Sequence, residues 1–202
     1  IFNFAPLFFL LGFFDDLFDL SPFFRLFFQV FLSLLFYFKG FLNSSFQIER
    51  FLNMNMSIEI DGTFAIILSI LWIVGLINAI NWIDGLDGLA TGILCISLIG
   101  LISISGFYQN YDCQSFLVTT FGSCLAFLMY NKYPAKILMG DGGSYFLGFL
   151  MASLGIFSFS TNITNTNLNF KFIFLLLIYL VPLFDMVSVI FSRIYAKRSI
   201  FY

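Results

Sequence analysis

At 202 residues, 60% hydrophobic and only 10% charged, the chain is too apolar for a soluble domain, in which about a quarter of residues are charged. Its net charge of −2 with no basic stripe excludes nucleic acid as a partner, and the absence of histidine excludes His-ligated zinc and His-based triads within this stretch. A mean hydropathy of +0.99 with long continuous apolar runs makes it all-α, a polytopic transmembrane helical bundle of about seven spans.

The first apolar run, Ile1–Phe14, leads into Asp15-Asp16-Leu17-Phe18-Asp19-Leu20-Ser21-Pro22. Adjacent aspartates with a third one turn on offer several oxygen ligands, and magnesium takes a few carboxylates together with substrate phosphates and water. A solvated helix end is the competing explanation, but negative charge is disfavoured at a helix C-terminus. Ser21 reads as the cap of the next helix, with Pro22 at its first position.

Phe23–Phe38 is the second span and Lys39–Thr63 a long polar connection. The third span, Phe64–Ile80, enters Asn81-Trp82-Ile83-Asp84-Gly85-Leu86-Asp87-Gly88-Leu89. Asp84 and Asp87 are three apart, which on a helix places both carboxylates on one face, and in a loop the glycines allow a ligand close to the backbone. A polar turn between spans needs neither two acids nor an amide, so Asn81, Asp84 and Asp87 are site candidates. Unpaired carboxylates are costly here, so a cationic or hydrogen-bonding group should meet them.

Leu89–Phe107 and Phe116–Tyr130 are the next spans, with Tyr108–Ser115 between them. The connection Asn131–Ser144 carries Lys132, Lys136 and Met139-Gly140-Asp141-Gly142-Gly143-Ser144. Free amides at a helix start can hold an anion and Asp141 a cation; the plainer alternative is a glycine turn capped by Asp141 or Ser144. Tyr145–Phe159, the polar loop Ser160–Lys171 and a last span Phe172–Phe191 follow. Asp185, inside that span, is a functional candidate unless Arg193 is simply its structural partner. Cys95, Cys113 and Cys124 suit neither a disulfide framework nor a metal site.

Alternation of spans puts the first, third, fifth and seventh connections on one side. That side holds Arg25, Lys132, Lys136, Arg193, Lys197 and Arg198, against Lys39, Arg50 and Lys171 on the other. The positive-inside bias assigns it to the cytoplasm, and with it Asp15, Asp16, Asp84, Asp87 and Asp141. Cys113 should then face away from the cytoplasm, within reach of an impermeant thiol reagent. Acids at helix ends on one face suit an interfacial enzyme better than a cation transporter, whose sites lie near the bilayer midplane. A purely structural scaffold gives no reason for the acids to converge.

Four pieces in order, GFFDDLFDLSP, NAINWIDGLDGLATG, YNKYPAKILMGDGGSYFLGF and VPLFDMVSVIFSR, resemble the polyprenyl-phosphate N-acetylhexosamine-1-phosphate transferases. This is the glycosyltransferase family 4 group that also contains phospho-N-acetylmuramoyl-pentapeptide transferase. The resemblance implies a magnesium-dependent enzyme, with manganese as the alternative ion. It would move a sugar 1-phosphate from a UDP-N-acetylhexosamine to undecaprenyl phosphate and release UMP, at the inner (plasma) membrane. Asp15, Asp16, Asp84 and Asp87 match the family's catalytic acids and Asp141 its metal ligand; Asn81 and Asn131 match the asparagines near the nucleotide. Lys136, Asp185 and Arg193 join them as substrate-binding candidates, and a homodimer is among the expected assemblies. Asp19 and Ser21 stand where the muramoyl-pentapeptide branch more often places lysine, which favours UDP-N-acetylglucosamine as donor. Family members have earlier spans and a later histidine-rich motif, so residues 1–202 read as a single transferase domain truncated at both ends.

Overall fold

The computed structural model describes residues 1, 3–41, 62–158 and 171–197. Most of the Lys39–Thr63 connection, the polar loop around Asn162–Asn167, and Arg198 lie outside the described residues. Eight α-helices are present and no strand among the described residues: α1 (Ala5–Phe18), α2 (Pro22–Phe36), α3 (Gly62–Ile83), α4 (Leu89–Phe107), α5 (Tyr111–Asn131), α6 (Gly140–Phe157), α7 (Lys171–Ile178) and α8 (Leu180–Tyr195). Four spans among the described residues are long and apolar enough to cross a bilayer unaided: α2 with its π-helical continuation Tyr37–Phe41, α3, α4 and α5.

Helix boundaries follow local chemistry. Ser21 is extended and its Oγ accepts from Phe24 N–H at 3.4 Å, with Pro22 opening α2, the cap read from the sequence. The final span corrects the expectation of one continuous helix over Phe172–Phe191: α7 ends at Ile178 and α8 starts at Leu180. Pro182 has no N–H to give to the Ile178 carbonyl. Ser97 of α4 supplies the missing donor, its hydroxyl reaching that carbonyl at 3.1 Å. In a lipid-surrounded bundle such a borrowed donor is what makes the break tolerable.

Helix α6 is the centre of the bundle, packed between α1 and α3, while α4 pairs with α5. Its residues Gly148–Ile156 are buried without interruption. Phe149 stacks on Phe8 of α1 at 4.6 Å and meets Phe36 of α2 edge-on at 5.0 Å. Polar clips fix the axial position of α6: Trp72 of α3 donates to Ala152 O at 3.1 Å and Tyr179 to Met151 O at 2.7 Å. Gly12 sets the approach of α1, since a Cβ there would overlap the backbone carbonyl of Asp141.

The connections alternate between the two ends of the bundle. Asn110, between α4 and α5, donates to Phe157 O at the far end of α6 at 2.7 Å. The connections after α1, α3 and α5 meet at the opposite end. Cys113 corrects an expectation: it is buried, with its thiol toward Leu154 O at 3.8 Å, so an impermeant reagent cannot report its side of the membrane.

Candidate active site

The acid pair near the end of α1 divides its work. Asp15 points inward and is buried. Its Oδ1 accepts from Leu20 N–H at 3.0 Å; its Oδ2 accepts from Arg25 Nη1 at 2.7 Å and from the Tyr145 hydroxyl at 3.0 Å. Arg25, one turn into α2, is the cation that the buried carboxylate requires. Asp16 points across to the start of α6, where its two oxygens accept from Asp141 N–H at 2.9 Å and Gly142 N–H at 3.0 Å. No side chain from the adjoining residues caps α6. The anion that fills its N-terminal amides is therefore Asp16, and the plainer alternative of a cap by Asp141 or Ser144 does not hold. Gly140 turns the chain into this position at φ +66, with the Asp16 carboxylate 2.8 Å from where a Cβ would sit.

Asp141 joins this cluster to a second one. Asn81, near the end of α3, donates from one Nδ2 to Asp141 Oδ1 at 2.6 Å and to Ser144 Oγ at 3.0 Å. Asp141 Oδ2 lies 3.6 Å from Arg25 Nη1. On the other side opens a polar cleft of about 300 Å³, lined by Asn81, Asp84, Asp87, Asn131, Gly140 and Asp141 with their neighbours. Its walls are tied together by side chains. Asn131 accepts from Gly88 N–H and the Thr91 hydroxyl and donates to Ile137 O. Asp87 Oδ2 accepts from Ala135 N–H at 3.0 Å.

The electrostatics of this end favour a cation. Burial pushes the Asp84 carboxyl up to about 6. Asp141, a turn before the apolar part of α6 that begins at Tyr145, is pushed up to about 7. Burial is the largest cause there, with the nearby carboxylates of Asp15 and Asp16 adding to it and the Asn81 bond opposing. Among the described residues no three Asp, Glu, Cys or His side chains converge on one metal-sized point. Magnesium does not require that, since one or two carboxylates complete their shell with substrate phosphate and water. A half-buried carboxylate crowded by other carboxylates and facing an open polar cleft fits such an ion.

The structure thus brings together Asp15, Asp16, Asn81, Asp84, Asp87, Asn131 and Asp141 at one end of the bundle. Lys136 stands exposed in the 132–139 connection. Asp185 and Arg193 lie on α8, which packs on α3, and neither lines the cleft. Sequence reasoning missed Arg25, Ser144 and Tyr145 as members. The signal for the last was present: Tyr145 is four residues after Asp141 and so shares its helical face.

A family model described as glycosyl transferase family 4 matches residues 1–159. Among curated proteins, a probable undecaprenyl-phosphate N-acetylglucosaminyl 1-phosphate transferase of Bacillus subtilis is 35% identical over 141 residues, 69% of this chain and 38% of that protein. A phospho-N-acetylmuramoyl-pentapeptide-transferase of Chlamydia trachomatis is 40% identical over 72 residues, 34% of this chain and 21% of its own. One of Listeria monocytogenes is 33% identical over 101 residues, 50% of this chain and 31% of its own. The chain spans well under half the length of these relatives.

Proposed function

The chain belongs to glycosyl transferase family 4, and from that premise we propose that it is the core of a membrane enzyme moving N-acetylglucosamine 1-phosphate from its UDP-sugar to undecaprenyl phosphate, with release of UMP. The observation that carries this reading is the meeting of two inter-helix connections in one polar cleft, walled by Asp84, Asp87 and Asp141, at the end of an otherwise apolar bundle. A cleft so placed can admit a water-soluble nucleotide from one side while a lipid phosphate approaches from the bilayer. The excess of basic residues on the same side supports a cytoplasmic cleft in a plasma-membrane protein.

Both substrates are anionic at the reacting centre, so charge must be neutralised before they can approach. A bound magnesium would screen the phosphates and orient the one being transferred. Asp141 is the residue that would hold it, its carboxylate aimed by the Asn81 amide at 2.6 Å. Arg25 supplies fixed positive charge between Asp15 and Asp141. Asp84 and Asp87 form the cleft wall across from Gly140, and Asn131 holds that wall to the 132–139 connection. The donor assignment is supported by the name and 69% coverage of the Bacillus subtilis relative, against shorter matches to the pentapeptide transferases.

The deciding experiment measures UMP release by the full-length protein with undecaprenyl phosphate, offered UDP-N-acetylglucosamine or UDP-N-acetylmuramoyl-pentapeptide, with and without magnesium. Release from the first donor, dependent on the metal, is expected. Use of the pentapeptide donor alone would move the chain to the other branch, and no release from either donor would overturn the transferase reading.

A further inference from the structure

Tyr145 is 1% exposed, yet it carries a hydroxyl into the most charged part of the bundle. A phenylalanine would fill the same space without a polar atom to satisfy, so packing does not explain the oxygen. That hydroxyl donates to Asp15 Oδ2, the oxygen that also receives Arg25 Nη1. With Leu20 N–H on Oδ1, the Asp15 carboxylate is held from three directions. An acid so occupied and 4% exposed is poorly placed to meet a substrate itself. What it does is aim Arg25. The guanidinium side chain is 28% exposed, and Nη1 alone makes both carboxylate contacts, at 2.7 Å to Asp15 and 3.6 Å to Asp141. The remainder of the five-donor fork can then receive phosphate oxygens.

We propose that Tyr145 is a positioning residue for this site: its hydroxyl fixes the Asp15 carboxylate, which in turn sets the Arg25 guanidinium beside Asp141 to receive a substrate phosphate. This rests on the phosphotransfer reading above and deepens it. Without the hydroxyl, Asp15 Oδ2 keeps only Arg25, and the ion pair is free to swing about the Leu20 contact. A misplaced donor at a reacting centre loses turnover even when the fold is unchanged.

The test compares Tyr145→Phe with wild type on two backgrounds, native and Arg25→Ala, in the full-length enzyme. UMP release and thermal stabilisation by inorganic pyrophosphate are the two readouts. Tyr145→Phe keeps the ring and should remain folded. It should lower kcat/KM on the order of tenfold, the loss of one hydrogen bond to a charged group. In the Arg25→Ala background the same change should cost less than about twofold, because the residue it acts through is gone. Pyrophosphate stabilisation should weaken in parallel. A Tyr145→Phe enzyme within twofold of wild type would overturn the inference, as would the same fold-loss on both backgrounds, which is what a purely structural hydroxyl gives. If the wild type releases no UMP but pyrophosphate stabilisation still depends on Tyr145 through Arg25, the positioning role stands and the transferase reading falls. Pyrophosphate stabilisation indifferent to both residues defeats the inference without reference to turnover.

Discussion

Replacing Asn131 should unfasten the two connections that wall the cleft. Its Oδ1 accepts from Gly88 N–H at 3.2 Å and from the Thr91 hydroxyl at 2.9 Å, and its Nδ2 donates to Ile137 O at 3.0 Å. Asn131→Ala removes all three bonds; at about 1 kcal/mol net each, the loss is about 3 kcal/mol. Thr91 is fully buried and will not regain its partner from water, whereas Gly88 is partly exposed and its amide can be rehydrated. These effects pull in opposite directions and leave the figure near its central value. At about 1.4 kcal/mol per factor of ten, it shifts the balance between assembled and opened cleft on the order of 100-fold. The assay is UMP release by the full-length enzyme at saturating substrates, beside the midpoint of thermal inactivation in the same detergent. Asn131→Asp sharpens the test. It keeps the volume and one acceptor oxygen, but turns the donor facing Ile137 O into a second oxygen and adds negative charge beside Asp84 and Asp87. It should be at least as damaging as alanine. An Asn131→Asp enzyme with wild-type rate and midpoint would refute the account of Asn131 as the clasp between the two walls.

Asp141→Asn should abolish turnover yet leave the protein folded, because the amide keeps the shape that Asn81 meets but loses the charge magnesium needs; near-normal activity at saturating magnesium would remove Asp141 from the metal shell. The pH dependence follows from Asp84, whose folded value near 6 lies above the ordinary 3.8. Folding favours its protonated form, so this contribution to stability is complete below the unfolded value and is lost as pH rises through about 6. UMP release, if it uses the carboxylate, should rise over the same interval. Asp84→Asn should flatten the stability change, and a stability profile identical to wild type between pH 4 and 7 would count against the burial of Asp84. For orientation, Asp112→Cys is a better probe than the buried Cys113, being exposed at the start of α5. It should react with an impermeant thiol reagent on intact cells, whereas Lys132→Cys should react only after lysis; the reverse pattern would invert the topology.

Much of the architecture was legible because a bilayer leaves few choices. Continuous apolar runs had to be helices, and their alternation had to collect Asp15, Asp84 and Asp141 at one end. Ser21-Pro22 announced the start of α2 by chemistry that needs no tertiary context. The break in the last span was also written in the sequence, as Pro182, but hydropathy does not register a missing N–H. Nor could the sequence reveal that Ser97, 81 positions from Ile178, would make that break affordable. Asp185 was singled out as an acid in an apolar span, but hydropathy could not say which neighbour its helix meets: α8 packs on α3, and Asp185 is not among the residues lining the cleft.

The acid pair shows why motif recognition and geometry part company. Two adjacent aspartates invite a reading in which both serve one ligand. On a helix, successive side chains diverge by about 100°. As long as α1 continues through Asp15 and Asp16 to Phe18, the two carboxylates cannot point the same way. One must turn toward α2 and the interior, where only a paired charge survives, and Arg25 is there to pair it. The other must turn along the surface of the neighbouring helix, and at that level the neighbour is the start of α6, whose amides lack a cap of their own. The pair therefore holds α1 against the Asp141 end of α6 from two sides. Its effect on chemistry is exerted through Arg25 and Asp141, so charge-preserving changes at Asp15 and Asp16 that shift the carboxylates by one methylene should cost nearly as much activity as removing them. Asp16→Glu can be measured against Asp16→Asn by UMP release. A glutamate that restored full activity would mean that charge alone is required, and that the helix-to-helix clasp is incidental.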